Sequence, residues 1–436
     1  HPHQAGVNNT DCQWSDDVWH SKNCYLCRSL LECENLMYSY RVVHCKNCID
    51  ITYCYDMEFS YDCLYCFKCY QLKYAFDCRN CVDSAFLFDC RNVQNCFMSW
   101  NLRNKQYCIL NEQYTKEEYF KKIGEYNLRS FAVVEKLREE FEKIIREKAV
   151  HRANFNTQVV NSSGNFLTEC KNCFDCMFIE KSQNSRHVWR AIDCEDSIDS
   201  VGGMIKNSAL SVMSVTLYGT LATSHCSACR YSSYLDYCED CEYCFGCVGL
   251  RKKKYCIFNK QYSEKEYNEL MLRITQYMKQ TGEWGKFFPL EQAHGAYNLS
   301  LAQTLFPRTR EQVEEFGGRW YEAKEGDGEG MSAQDLPDDI GDVKEDFTKQ
   351  AIISSGAKLK YNIAPSELAF YKEHGIPLPR RHFDERTMDR FTVLADAIVP
   401  TKSMCYYCKK EIEHYYSPRL RYERIACVDC YQTHIS

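Results

Sequence analysis

The chain has 436 residues, 30 of them cysteine, with 26% charged and 45% hydrophobic residues. That length suits two or three domains, and that hydrophobic fraction excludes wholesale disorder. No stretch approaches the ~20 uninterrupted apolar residues of a membrane helix, and a net charge of −6 argues against coating nucleic acid by bulk electrostatics. We expect a soluble, cytoplasmic protein that does not enter membranes.

Residues 1–11 look like a truncated or flexible start, because they hold neither an initiator methionine nor a signal peptide. The cysteines that follow have a period of three. A helix repeats its apolar positions every ~3.6 residues and a strand every ~2, so this period fits neither. The first fifteen cysteines all carry numbers divisible by three: 12, 24, 27, 33, 45, 48, 54, 63, 66, 69, 78, 81, 90, 96 and 108.

A solenoid of short extended segments explains this period, because each triplet then points one small residue inward. Asn or Asp often precedes a cysteine, and both residue types tolerate a bend. A repeat of 21, as in Cys24, Cys45 and Cys66, predicts coils of about seven triplets, while spacings of 18 indicate that coil length varies. We predict a mainly β chain with two tandem cysteine-rich parallel β-solenoid (β-helix) lobes, the first over residues 12–110.

The second lobe is predicted over residues 151–260. Its period of three changes phase near Gly202 and Gly203, where glycine would let the chain absorb an insertion as a bulge. Ser and Thr replace cysteine at many inward positions of this lobe, which indicates that small size matters there more than the thiol.

Each lobe is expected to end in a helical cap, over residues 111–150 and 261–285. The segment 101–115 returns as 249–263, and in both copies a capping box follows, Thr115-Lys-Glu-Glu and Ser263-Glu-Lys-Glu. Caps of this kind cover the strand edges of the last coil. A second helix near 131–148 is expected to pack between the lobes through one apolar face, formed by Val134, Leu137, Phe141, Ile144 and Ile145.

The composition changes in the last third of the chain. Residues 311–346 hold thirteen acids against three bases, so residues 286–346 are predicted to form an acidic, flexible linker. Two Cys-x-x-Cys pairs then stand eighteen residues apart, which is the spacing of a zinc ribbon, here residues 393–436. We predict one structural zinc ion, and the alternative is two reduced pairs without metal. The predicted ligands are Cys405, Cys408, Cys427 and Cys430.

Several segments resemble a family of cysteine-rich, zinc-ribbon-containing proteins from ultra-small candidate-phyla bacteria, a family without an assigned activity. The resemblance rests on residues 105–119 and their repeat, on 281–289, on 366–371 with 376–379, and on the closing ribbon. Some members place a second zinc site where this chain has Arg381 to Arg386. Because no cysteine lies between Cys256 and Cys405 here, residues 347–392 are expected to be a zinc-free degenerate ribbon module.

The lobe cysteines admit other interpretations. Runs such as Cys238-x2-Cys241-x2-Cys244 superficially resemble iron–sulfur ligands, but they lack the wider final spacing followed by proline. Small buried core residues are the favoured interpretation, and metal clusters or disulfides are the alternatives. Aromatic residues of the outer registers, such as Phe86 and Phe88, would form a contact surface if exposed, or would pack under the caps.

Catalytic motifs are missing from the sequence: it holds no glycine-rich phosphate loop, nucleophile elbow or metalloprotease helix. His44, His187 and His225 lie beside or near lobe cysteines, but packing or surface histidines are more common than Cys–His dyads. We predict a non-enzymatic zinc-binding scaffold for a protein partner or for self-assembly. One alternative is a cysteine-rich metal or redox protein. Another is a nucleic-acid or ribosome-associated factor, for which RNA phosphate contacts would come from Lys409, Lys410, Arg419, Arg421 and Arg424.

Overall fold

Strands predominate in the first two thirds of the chain, and the mainly β prediction is confirmed. The computed structural model describes residues 6, 8–44, 46–55, 60–61, 64–66, 72–73, 77–79, 84–322, 330–392 and 399–435. Within these ranges the helices are α1 Lys116–Ile123, α2 Phe131–Glu147, α3 Glu264–Gln280, α4 Leu301–Leu305, α5 Arg310–Glu315, α6 Pro365–His374, α7 Phe383–Phe391 and α8 Val428–Ile435. None of these helices is long and apolar enough to cross a membrane.

Two sheets build the first lobe, and the chain alternates between them. One sheet contains Asp16–Trp19, Arg28–Leu31, Tyr40–Val43, Thr52–Tyr55 and Leu64–Cys66. The other contains Glu34–Met37, Lys46–Ile49, Ser60–Tyr61, Leu72–Lys73, Asp77–Arg79, Ala85–Arg91, Gln94–Trp100, Gln106–Ile109 and Glu112–Gln113.

Neighbouring strands pair in parallel at an offset of twelve residues. Asp16 pairs with Arg28, Arg28 with Tyr40 and Tyr40 with Thr52. The predicted coil of about seven triplets is therefore wrong, since twelve residues are four triplets. Cysteine shares its inward positions with Ser, Leu and Val, so its own recurrence at 18 or 21 residues does not report the strand register.

The predicted inward phase is confirmed wherever side chains are described. Cys24, Cys27 and Leu30 are each at most 2% exposed. The residue before each of them, such as Asn23 or Leu26, has a left-handed backbone with φ of 54° and 51°. Asn and Asp adopt this conformation at the lowest cost among non-glycine residues, which explains their frequency before the cysteines.

Serine and cysteine are interchangeable in these cores because both donate to backbone carbonyls. The Cys27 thiol donates to the carbonyl oxygens of Tyr25 and Leu36, at 3.3 and 3.5 Å. The Ser15 hydroxyl donates to Gln13 at 3.0 Å, and its oxygen accepts from the Cys27 N–H at 3.0 Å. Each inward polar group is thus satisfied by its own coil or by the next.

The second lobe repeats this arrangement, with an offset of eleven residues at its start, where Thr157 pairs with Thr168, and again near Gly202. At Ile198–Val201 the offset to the next strand falls to eleven residues, so the phase change is a one-residue shortening and not the predicted insertion. Gly202 turns the chain there with φ of +145°, where a Cβ atom would overlap the carbonyl oxygen of Ser214. The strands are Gly164–Thr168, Cys176–Glu180, Arg186–Ile192, Ile198–Val201, Ile205–Lys206, Ala209–Val212, Leu217–Tyr218, Leu221–Ser224, Ser233–Asp236, Glu242–Phe245, Lys254–Ile257 and Lys260–Gln261.

Both lobes end in the same way, and both predicted capping boxes are present. The last strand of each turns back in an antiparallel pair, Cys108 with Gln113 and Cys256 with Gln261. The helices α1 and α3 then begin with reciprocal cap hydrogen bonds at Thr115 and Ser263. Antiparallel closure followed by a helix covers an edge that would otherwise pair with another chain.

The second predicted helix forms as α2, and its five predicted apolar residues are its buried ones. Its position differs from the expectation. Phe141 contacts Phe86 of the first lobe at 5.8 Å between ring centroids, and the same core includes Leu336 and Ile340. No described residue of the second lobe belongs to the core that contains α2. The helix α2 therefore packs between the first lobe and the C-terminal region.

The described parts of residues 286–346 are folded, in contrast to the predicted flexible linker. They include α4 and α5, and Ala333, Leu336, Ile340 and Val343 are buried against α2. The spaced apolar residues were not recognised in the sequence because acidic residues dominate the composition of this segment. The remaining strands of this half are Met331–Ser332, Ile352–Ile353 and Lys360–Tyr361, with Thr401–Met404, Glu411–His414 and Ile425–Ala426 further on.

Residues 347–392 form a hairpin and the helices α6 and α7, which dock on the first lobe. The Tyr38 hydroxyl donates to the buried Glu367 carboxylate at 3.1 Å. The Arg386 guanidinium lies 2.9 Å from the carboxylate of Asp50, which is 1% exposed. The segment predicted as a zinc-free degenerate ribbon thus forms a packed module of one hairpin and two helices.

Candidate metal centre

The two Cys-x-x-Cys pairs lie on different local structures. The strands Thr401–Met404 and Glu411–His414 form an antiparallel hairpin whose turn carries Cys405 and Cys408. Lys409 closes this turn in a left-handed conformation with φ of 59°, and the Cys405 N–H donates to Lys410 at 2.8 Å. The second pair lies where the strand Ile425–Ala426 passes into α8.

The fold brings the four sulfur atoms together. All four lie within 4.8 Å of one another, and Cys408 Sγ is 3.9 Å from Cys427 Sγ. A tetrahedral zinc site with Zn–S bonds of about 2.3 Å has S···S edges of about 3.8 Å. Cys405 is fully buried, whereas Cys408 is exposed. The four cysteines can therefore hold a metal ion, and their spacing is compatible with one zinc.

Backbone N–H groups point at two of the sulfurs. The Cys427 N–H donates to Cys405 Sγ at 3.3 Å, and the Cys430 N–H donates to Cys427 Sγ at 3.5 Å. Burial opposes ionisation of Cys405, but N–H groups that include that of Cys427 outweigh it and lower the pKa of this thiol to about 6. Thiolates are the form that binds metal, so this environment suits a metal ligand.

The ribbon is joined by backbone pairing to the segment between the two lobes. The strand Ile425–Ala426 runs parallel to His151–Arg152. The Tyr416 hydroxyl donates to the carbonyl oxygen of Arg152 at 2.8 Å, and Arg103 of the first lobe donates to the Tyr431 hydroxyl at 3.1 Å. The four-cysteine site thus lies in a module that contacts the first lobe and the connector.

The predicted phosphate contacts are spread over the ribbon surface. Lys409, Lys410, Arg419 and Arg421 are exposed, and Arg424 is half-buried. The Lys409 ammonium and the Arg424 guanidinium each lie 5.3 Å from the centroid of the Tyr406 ring. The structure thereby brings two of the five cations to one aromatic side chain.

The lobe cysteines present a different environment. None of the described ones belongs to a group of three or more potential ligands within 4.8 Å of one another. Burial raises the pKa of Cys27 to about 12 and that of Cys96 to about 12, whereas a hydrogen bond with Cys244 lowers the pKa of Cys247 to about 7. The spacing of the described thiols, rather than their pKa values, favours the interpretation as core residues over the iron–sulfur alternative.

The aromatic residues divide between the two predicted roles. Phe86 and Phe88 are buried beneath α2 and the connector, as the packing interpretation expected. Most aromatic residues of the outer registers between residues 53 and 76 have no described side chain. A row of contacting rings runs along the second lobe, with centroids 5.2–5.4 Å apart: Tyr218 meets Tyr231 edge-on, whereas Tyr231, Tyr243 and Tyr255 are stacked. We call these four residues the tyrosine ladder.

The three histidines considered as dyad partners contact other groups. His44 pairs with Glu32 at 2.9 Å, and His187 pairs with Asp199 at 2.8 Å. His225 lies beside Asp236 and His294, and the potential ligand atoms of these three residues are within 4.8 Å of one another. Sequence reasoning missed this group, because the three residues share no motif spacing and His294 lies in the predicted linker.

Comparisons with known proteins give no family. No family model and no curated protein matches the chain. The solved structures that match include a protein provisionally assigned as an acetyltransferase from Desulfovibrio desulfuricans G20, at 10% identity and a TM-score of 0.14. The match covers 64% of this chain and 81% of that one.

Proposed function

We propose that this protein is a non-enzymatic scaffold with one structural zinc ion in its C-terminal ribbon. The observation that carries this proposal is the four-cysteine site. Four thiolate ligands from one chain leave a tetrahedral zinc no open position for a substrate. The site also lies in the module that pairs with the connector between the lobes, where a metal would stabilise their arrangement.

Each lobe is proposed to be a four-sided β-solenoid. The twelve-residue parallel register, the left-handed bend before each inward residue and the column of small inward side chains support this architecture. Such a rod presents a regular, rigid outer surface, which is the property that binding scaffolds use. Its many thiols favour a reducing compartment, which supports a cytoplasmic location.

The tyrosine ladder is the proposed contact surface, for a second copy of the chain or another protein. Tyr218 and Tyr231 are 40% and 46% exposed, and edge-on and stacked contacts between neighbouring rings hold the ladder in a row. Tyrosine is enriched at protein interfaces because it buries a large apolar ring with little loss of side-chain entropy. A row of ordered rings therefore suits a permanent interface.

Light scattering on the full chain tests this proposal. The wild-type protein is expected to self-associate, or to co-purify with a protein, in a manner insensitive to salt. Tyr231→Ala and Tyr243→Ala should abolish the association. Tyr321→Ala is the matched control, because this tyrosine is also exposed, at 49%, but lies outside the ladder. A monomer that co-purifies with nothing, or ladder variants that behave like the control, would refute it.

The second candidate function is a nucleic-acid or ribosome-associated factor. The pair of cations at Tyr406 favours it, because an aromatic ring flanked by positive charges suits a base and its phosphate. RNA that co-purifies with the chain, is released by salt and is lost in Lys409→Glu would favour this function over the first. A metal or redox role would instead require many metal ions per chain or reactive lobe thiols. Membership of the ribbon-containing bacterial family stays a proposal supported by the segments quoted above.

A further inference from the structure

A group of two histidines and one aspartate lies at the edge of the second lobe, far along the chain from the ribbon. The potential ligand atoms of His225, Asp236 and His294 are all within 4.8 Å of one another, and His294 Nε2 is 4.0 Å from Asp236 Oδ1. Two imidazoles and a carboxylate are the ligand set of many divalent transition-metal sites. We infer that these three residues form a second metal site, for a divalent first-row transition cation, and this inference goes beyond the scaffold function.

The lobe fixes two of the three side chains. Ser224 pairs in register with Asp236 on the adjacent strand, so His225 directly follows the strand position beside Asp236. The strand at Asp236 is held further by its N–H, which donates to the Cys247 carbonyl at 3.0 Å. The two ligands therefore lie at the ends of neighbouring strands of one sheet. The backbone hydrogen bonds of the sheet set the distance between these strands.

The His225 ring is held in an orientation suited to a ligand. Its Nδ1 lies 2.9 Å from the Ser224 hydroxyl, and the ring stacks on Tyr237 at 4.6 Å with an interplanar angle of 5°. When Nδ1 carries the proton and donates to Ser224, Nε2 carries the lone pair that a metal requires. An oxygen acceptor on the second ring nitrogen is the usual support of a metal-binding histidine.

The third ligand arrives from the segment after α3. The His294 ring meets both His225 and Tyr237 edge-on, at 5.5 and 5.6 Å between centroids. Its side chain is 46% exposed, so it can turn towards a cation without disturbing a core. Ligand atoms about 2.1 Å from a metal are about 3.0–3.4 Å apart, so binding is expected to shorten the 4.0 Å separation of His294 Nε2 from Asp236 Oδ1.

Asp236 also forms part of the wall of a large cavity between the second lobe and α3. This cavity has a volume of about 1150 Å³ and is lined mainly by apolar side chains, among them Tyr234, Phe245, Phe258, Ile274, Tyr277, Met278 and Phe288. Three protein ligands leave at least one coordination position, which water or a ligand oxygen would take. The site therefore differs from the closed four-cysteine site, because a metal here can bind a further molecule.

Zinc content per chain, measured on the untagged full-length protein after equilibration with excess zinc and gel filtration, tests the inference. The wild type is expected to hold two zinc ions per chain. The Asp236→Asn variant and the His294→Ala variant should each hold one. His44→Ala is the matched control and should keep two: His44 also pairs with a carboxylate, Glu32, but neither belongs to the two ligand groups found among the described residues.

Cobalt separates the two sites by spectrum. The first equivalent, on four thiolates, should give intense near-ultraviolet thiolate charge-transfer absorption, and the second should add only weak visible bands that Asp236→Asn removes. A single zinc ion in the wild type, or a second ion retained in both Asp236→Asn and His294→Ala, would overturn the inference. Loss of the second ion in His44→Ala as well would also overturn it. The proposed metal site of the ribbon is tested separately, because thiolate absorption reports metal bound to the four cysteines and not to the histidine–aspartate group.

Discussion

The His151 N–H donates a 2.7 Å hydrogen bond to the carbonyl oxygen of Arg424, the residue before the strand that leads into Cys427 and Cys430. His151 opens the segment that links the two lobes, and its ring stacks on Tyr422 at 3.7 Å. Order in the ribbon is therefore coupled to order in the connector. A metal that folds the ribbon stabilises the joint between the lobes as well.

Removal of zinc should loosen the connector. Chelation, or Cys427→Ser, is expected to increase hydrogen exchange at the N–H groups of His151 and Ala153, which donate to Arg424 and Ala426. Lobe amides such as that of Cys241 are the internal control and should keep their protection, because their partners lie within the lobe. Equal exchange at His151 with and without zinc would contradict the coupling.

Acid should destabilise the ribbon–connector joint through His151. Burial lowers the pKa of His151 to about 3, from an ordinary value of 6.5. The folded state disfavours the protonated ring, so the stabilisation that neutral His151 gives is complete above pH ~6.5. This stabilisation is lost as the pH falls towards 3, and at pH 5 the loss is about 2 kcal/mol. Burial also lowers the pKa of the neighbouring His414 and acts in the same direction.

The wild type is best compared with His151→Phe, which keeps an aromatic ring but does not titrate. Free energies of unfolding at pH 8 and pH 5 should differ by about 2 kcal/mol more in the wild type than in the variant. Contributions from His414 and from acid release of metal are common to both proteins and cancel in this comparison. Identical pH dependence in the two would show that His151 is not the group responsible.

The buried Cys173 of the second lobe should tolerate serine better than leucine. The Cys173 thiol donates to the carbonyl oxygens of Lys171 and Ser182, at 3.5 and 3.4 Å, and a serine hydroxyl would retain these acceptors. We expect Cys173→Ser to lower the free energy of unfolding by less than ~1 kcal/mol. Cys173→Leu should cost ~1–3 kcal/mol, because the narrow core cannot expand. Urea denaturation measures both, and the reverse order would contradict the packing argument.

Alkylation should distinguish buried lobe thiols such as Cys27 from the partly exposed thiol of Cys12. Cys12 is partly exposed, whereas burial raises the pKa of Cys27 to about 12 and keeps little thiolate at neutral pH. Under native conditions iodoacetamide should modify Cys12 within minutes and leave Cys27 unmodified. Peptide mass spectrometry reads this out. Rapid modification of Cys27 would indicate that the lobe opens or that its thiols are reactive.

The ion pair between Asp50 and Arg386 should be costly to break. Asp50 is 1% exposed and lies 2.9 Å from Arg386 and 3.4 Å from Arg390. Arg386→Met is expected to destabilise the chain by about 3–5 kcal/mol, because it leaves a buried carboxylate with one cation. Adding Asp50→Asn should recover part of this loss. Strictly additive effects in this double-mutant cycle would show that the two residues do not interact.

The sequence by itself determined which residues face the lobe cores. A left-handed bend before every third residue points that residue inward, and this constraint is local, so it appears directly as a period of three. The capping boxes at Thr115 and Ser263, the apolar face of α2 and the grouping of Cys405, Cys408, Cys427 and Cys430 are equally local patterns, and the structure contains all of them.

Only the tertiary structure decided how these parts pair and pack. The register of twelve residues depends on hydrogen bonds between strands, and Cys, Ser, Leu and Val all occur at inward positions, so the spacing of the cysteines alone pointed to 21 instead. The docking of the ribbon on His151 and of the predicted linker on α2 rests on contacts between residues hundreds of positions apart. The grouping of His294 with His225 and Asp236 has the same origin, because no pattern in the sequence records which distant side chains meet.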